Sequence, residues 1–90
     1  MVEQQKIIKM FGAMQSQSEA NIYAFLAKIE SIDLNKKNIQ TLINLSNEAF
    51  SYIGVCNMMD LHYNFVAKLE DTRRKIDNTI KQLENSEYSL

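Results

Sequence analysis

Between Ala49 and Leu69 the apolar side chains surround a helical wheel instead of lining one face of it. Phe50, Tyr52, Ile53, Val55, Cys56, Met58, Met59, Leu61, Tyr63, Phe65 and Val66 cannot all meet a single neighbour, so this stretch demands more than one packing partner. The first third of the chain is simpler. Placed at about 100° per residue, Ile7, Ile8, Phe11, Met14, Ile22, Phe25, Leu26, Ile29 and Ile32 share one stripe about 120° wide, and its phase does not drift. The pattern predicts one helix from about residue 3 to 33. Ser16 and Glu19 have the spacing of a capping box that would split it, but a split would reset the phase. Ser18 falls on the stripe and leaves a polar notch halfway along.

The periodicity stops across Ser31-Ile32-Asp33-Leu34-Asn35-Lys36-Lys37, where Asp33 or Asn35 can accept hydrogen bonds from the amides of a new helix. A turn at 33–36 is expected, followed by a second helix over about 36–86. Along it Ile39, Leu42, Ile43, Ala49, Phe50 and Ile53 form one stripe. Leu61, Phe65, Leu69, Ile76, Ile80 and Leu83 form another, rotated by about 130° at helical pitch. Two readings follow. In one, the helix breaks within 54–60, near Gly54, with Asn57 capping a new start and Asp60 in its first turn, and the chain folds back on itself. In the other, the helix continues and its last 20 or so residues overhang the first helix by roughly 30 Å. An isolated helix of that length is marginal in water, so its stripe must dock on another chain. The second reading is adopted here. It gives an all-α fold, a long antiparallel helical hairpin with an extended second helix, assembling into a helical bundle or coiled-coil homodimer. The expected protein interface is Met58, Met59, Phe65, Leu69, Ile76, Ile80 and Leu83.

A chain of 90 residues is one domain and buries only about 60–65% of the surface its unfolded form exposes, which makes partner subunits a common remedy. The net charge of -1 provides no footprint for nucleic acid. Asn57, Asp60, His62 and Asn64 interrupt the most apolar stretch too often for a membrane span. The N-terminal Met1-Val2-Glu3-Gln4-Gln5-Lys6 lacks the apolar core of a secretory signal, and the single cysteine, Cys56, cannot form an internal disulfide. The expected location is cytoplasmic. Abundant isoleucine, asparagine and lysine suggest AT-rich coding, as in a low-GC bacterium, phage or plasmid.

Candidate chemistry is sparse. His62 is the only histidine, which excludes mechanisms needing two imidazoles and the common His-rich zinc sites. No Glu-x-x-His pair of the helical di-metal type occurs. A phosphotransfer bundle needs one exposed histidine, but Tyr63, Asn64 and Phe65 follow His62 where such domains carry a lysine and a small residue. A structural histidine bonded to a nearby polar group is the expected role. Cys56 lies on an apolar side without a basic neighbour in sequence to activate it, so inert packing is expected. Around Arg73 and Arg74 the acid-first pairs Glu70 with Arg74, Asp71 with Lys75 and Asp77 with Lys81 predict a solvated face of offsetting charges. No glycine-rich phosphate loop is present. Met10, Met14, Met58 and Met59 fit either core gap-filling or an adaptable docking surface. Tyr23, Tyr52, Tyr63 and Tyr88 lie off the main stripes, where tyrosine can anchor an interface or pack half-buried.

Leu45-Ser46-Asn47-Glu48-Ala49 resembles, over those five residues, the Ser-x-x-x-Asp segment of the small helical-hairpin phosphatases that act on response regulators in sporulating bacteria. Phe50 stands where the essential aspartate of that family is expected, so the group that would activate water is missing. The expectation is therefore non-enzymatic, without cofactor or metal: a small oligomeric regulator or inhibitor that binds itself and a larger protein, with a phage or mobile element as one source. The alternative is a structural or assembly factor whose homo-oligomer is the working form. A His62 phosphotransfer protein is the third reading.

Overall fold

The computed structural model describes the backbone of residues 2–88 and the side chains of residues 9–86. Ile7, Ile8 and Tyr88 of the sequence pattern lie outside the described side chains. Three helices follow one another: α1, Val2–Ser31; α2, Ile39–Met59; and α3, Tyr63–Tyr88, with a 3-10 turn at Leu34–Lys36 between the first two. No strand occurs among the described residues, and the fold is all-α.

α1 runs through Ser16 and Glu19 without a break. It ends where the Asp33 carboxylate accepts from the N–H of Asn35 at 3.1 Å, closing the 3-10 turn. Asn38 then starts α2, its side-chain oxygen accepting from the N–H of Thr41 at 2.8 Å. That cap satisfies one of the donors every helix start leaves without an intrahelical partner.

The second half adopts the folded-back reading. Gly54 and Asn57 are both inside α2, and a Cβ on Gly54 would meet nothing within 4 Å, so neither residue breaks the helix. The break comes at Asp60, which takes a left-handed conformation with φ 53° and ψ 47°. The N–H of Leu61 then bonds the Cys56 carbonyl at 3.0 Å, closing a Schellman-type turn, and Leu61 packs against the core. Left-handed backbone at a residue with a Cβ costs roughly 1–2 kcal/mol, and aspartate is among the few residues that adopt it routinely. Asp60→Gly is therefore expected to stabilise the chain by about 0.5–1 kcal/mol, raising the thermal midpoint by several degrees. A fall in midpoint would mean that the Asp60 carboxylate contributes more than its backbone strain costs.

This turn explains the two stripes. On one continuous rod they would face different neighbours, but reversing the chain at Asp60–His62 brings them face to face. α3 packs chiefly on α2, and α1 leans on the pair more lightly. The core joins Ile22, Phe25 and Ile29 of α1, Leu42, Leu45, Ala49 and Cys56 of α2, and Leu69 and Ile76 of α3. Burial of each large member is worth about 1.5–3 kcal/mol. Ser46 is also buried, and its hydroxyl donates to the Asp77 carboxylate at 2.7 Å, fixing the register of α2 against α3.

The fold-back moves the overhang to the other end of the chain. α2 stops at Met59, whose carbonyl accepts from Gln15 Nε2 at 2.7 Å. Everything in α1 before Gln15 projects past the α2–α3 turn as an arm of about 20 Å at 1.5 Å per residue. The molecule accordingly measures 67 × 20 × 20 Å.

Candidate functional site

The residues expected at an interface are mostly used by the chain itself. Leu69 and Ile76 are fully buried by the folded-back helix, and Phe65, Ile80 and Leu83 are partly buried against the same core. Met59 is half-buried at the end of α2. Of those seven, only Met58 is exposed, at 72%. The physical reason is the turn at Asp60, which supplies from within the chain the neighbour that a continuous helix would have had to find elsewhere.

His62 sits in that turn. Its Nδ1 accepts from the N–H of Asn64 at 3.2 Å, so it caps the start of α3, and its ring lies 4.4 Å from that of Tyr63. Cys56 is buried and contacts the core, where desolvation pushes its thiol above the ordinary value of 9.0 while a backbone hydrogen bond acts in the opposite direction. A thiol held neutral in this way is a poor nucleophile and a poor metal ligand. Among the described residues no three histidine, cysteine or acidic side chains gather as a metal site, and no helix is long and apolar enough to cross a membrane.

The charged run on α3 keeps one of the expected pairs, Asp71 with Lys75, and replaces the other two. Asp71 holds both Lys75, at 3.4 Å, and Arg74, at 3.6 Å, whereas Asp77 lies 4.0 Å from Arg73. Such exposed pairs are worth about 0–1 kcal/mol each. Arg73 also stacks 4.8 Å over the ring of Phe50, which the stripe on α2 had placed in the core and which is 58% exposed instead. Ser46, Asp77, Arg73 and Phe50 therefore form one clasp across α2 and α3. Sequence spacing could not reveal it, because its members come from two helices whose register is set by the turn. The Ser46 hydroxyl is occupied by Asp77, so the segment resembling the helical-hairpin phosphatases is engaged in packing.

An open groove of about 890 Å³ separates α1 from α3. Leu26, Ile29 and Leu34 line it, and Glu30, Lys68 and Lys75 stand at its edges. Lys75 is already paired with Asp71, and the Thr79 hydroxyl is returned to the Lys75 carbonyl at 3.0 Å.

The tip of the molecule is different. Met10, Phe11 and Met14 on the arm are 64%, 43% and 51% exposed, although the stripe they belong to is buried further down α1 at Ile22, Phe25 and Ile29. α2 covers that stripe only as far as Met59. Met58, near the end of α2, and Tyr63, at the start of α3, are also exposed. Tyr23 and Tyr52 contact Phe65 and Phe25 respectively, each at 5.2 Å between ring centres, Tyr52 half-buried and Tyr23 still 55% exposed. Of the four methionines read from sequence as either core or docking surface, Met10, Met14 and Met58 are exposed and Met59 is half-buried. What defines this protein is an all-α three-helix bundle with a projecting, partly apolar helical arm. No family model matches the chain, and no curated protein or solved structure matches it either.

Proposed function

We propose that the chain is a non-enzymatic protein-binding module, a small regulator or inhibitor that docks on a larger protein in the cytoplasm. One observation carries this reading: the apolar stripe of α1 runs past the end of its intramolecular cover, leaving Met10, Phe11 and Met14 exposed. Flexible, polarizable methionines around an aromatic anchor suit a surface that must adapt to a partner. The groups available for chemistry are spent on structure, His62 as a cap and Cys56 as packing. The AT-rich character of the sequence directs the search for a partner to the host of a phage or mobile element.

A comparison of two baits tests the reading. The native chain and a variant carrying Phe11→Asp and Met14→Asp are used side by side in the source cell or its host. The native bait is expected to retain one larger protein in fixed ratio, with affinity for that protein weakened at least tenfold in the variant, about the effect of losing 1.4 kcal/mol. Equal retention by both baits overturns the arm as the contact. The second reading, an assembly factor working as a homo-oligomer, is favoured by the polarity of the missing cover, because what α1 lacks beyond Met59 is a helix antiparallel to itself.

A further inference from the structure

We infer that Met10 and Met14 are sites of reversible oxidation to the sulfoxide, and that this modification switches off docking by the arm while leaving the bundle folded. The switch rests on reading the arm as a protein contact, and the modification sites do not. Sulfur in this chain is divided between core and surface. The single cysteine, Cys56, is 1% exposed, and desolvation holds its thiol above the ordinary value, so little thiolate is present to meet an oxidant. The thioethers stand in the opposite position. Met10, Met14 and Met58 are 64%, 51% and 72% exposed, Met59 is half-buried, and no methionine belongs to the buried core among the described residues. A thioether has no proton to lose, so its reaction with peroxide is governed by access instead of ionisation. An oxidant reaching this chain therefore meets methionine first.

The step balances with hydrogen peroxide as oxidant. A lone pair on the thioether sulfur attacks one peroxide oxygen, the O–O bond breaks and an S–O bond forms. The departing hydroxide takes the proton from the transferred oxygen and leaves as water, so sulfur is oxidised by two electrons and peroxide is reduced by two. Methionine sulfoxide reductases, one for each sulfoxide epimer, return the thioether with two electrons and two protons from a dithiol. Position makes the product matter. Met10 and Met14 lie four residues apart on one helix face, with Phe11 three residues before Met14, so both sulfurs sit in the stripe that runs past the end of α2. A sulfoxide oxygen is a strong acceptor that brings no donor. In water it is solvated without cost to the fold, whereas under a docked partner it must be desolvated against an apolar surface. Docking and oxidation therefore oppose each other: a bound partner shields the sulfurs, and an oxidised arm binds the partner less well.

Hydrogen peroxide added to the full native chain, followed by peptide mass mapping, tests the sites. Met10, Met14 and Met58 are expected to gain one oxygen each severalfold faster than Met59, with Cys56 unmodified and the thermal midpoint unchanged over the same period. Met59 or Cys56 reacting as fast as Met10 and Met14 overturns the proposal, and so does a midpoint that falls as those two are oxidised. The switch is read on the capture baits, each compared with its own untreated form so that a variant's starting affinity does not enter. Peroxide should weaken retention of the larger protein by the native bait by about tenfold or more, and reductase treatment should restore it. A Met10→Leu, Met14→Leu bait, with no sulfur at the two sites, should show no such loss. Undiminished retention by the oxidised native bait, or an equal loss in the double variant, overturns the switch. Equal retention by the untreated native and Phe11→Asp, Met14→Asp baits ends the arm as the contact and the switch with it, whereas oxidation at Met10 and Met14 is still decided by the mass mapping.

Discussion

Ile76→Asp is expected to unfold the chain. Ile76 is completely buried between α2 and α3, and the substitution both removes its packing and places a carboxylate where water does not reach. Deleting a buried isoleucine side chain costs about 2–5 kcal/mol, and forcing a charge or its neutralised acid into the site adds to that. A domain of this size has a total stability of roughly 5–13 kcal/mol at the usual 0.05–0.15 kcal/mol per residue. The expected result is loss of most helical circular dichroism at 25 °C, or a midpoint in urea too low to define a folded baseline. A continuous second helix would give another outcome, in which Ile76 faces a partner chain and the variant becomes a helical monomer. Helicity and mass measured on the same sample separate the two. Ile76→Asp with native helicity and an unchanged thermal midpoint would show that α3 does not pack where it is placed here.

Phe25→Ala is expected to detach α1 before the rest of the bundle. Phe25 is buried to 3% exposure and tilts against Tyr52 of α2 at 5.2 Å. Together with Ile22 and Ile29 it forms the fully buried contact of α1 with the α2–α3 pair. Truncating a buried phenylalanine costs about 3–5 kcal/mol. That loss falls on the most lightly held helix, whereas Leu42, Leu45 and Ala49 still meet Leu69 and Ile76 across the pair. Hydrogen exchange should therefore accelerate across residues 15–31 by more than tenfold relative to α2, the factor that 1.4 kcal/mol of local opening would produce. Uniform acceleration over all three helices would instead mean that the bundle opens only as a unit.

Both expectations depend on a feature that the hydrophobic pattern left open. The stripe on α1 and the turn after Ser31 were legible because a helical period of 3.6 and the capping chemistry of Asp33 are local signals. The two stripes of the second half were legible too, and so was their rotation. Their meaning was not. A rotation of about 130° at helical pitch describes a rod with two faces equally well as a hairpin with one core, and Gly54 and Asn57 offered a more familiar place to break than Asp60. The same ambiguity put Leu69, Ile76, Ile80 and Leu83 at an interface, and it hid the overhanging arm, because where the overhang lies depends on where the chain reverses. The clasp of Ser46, Asp77, Arg73 and Phe50 was hidden for a related reason, since it needs the register of one helix against another.

The sequence by itself determined that this chain is helical throughout, where its first turn lies, and which face of each segment must leave water. The tertiary structure decided which faces meet, and hence which apolar residues remain uncovered at the tip. The physical reason is an imbalance of scale. One left-handed residue, Asp60, costs roughly 1–2 kcal/mol and carries little local signal. Reversing the chain there buries Leu69 and Ile76 at about 1.5–3 kcal/mol each, a gain that appears only when residues far apart in sequence are brought together.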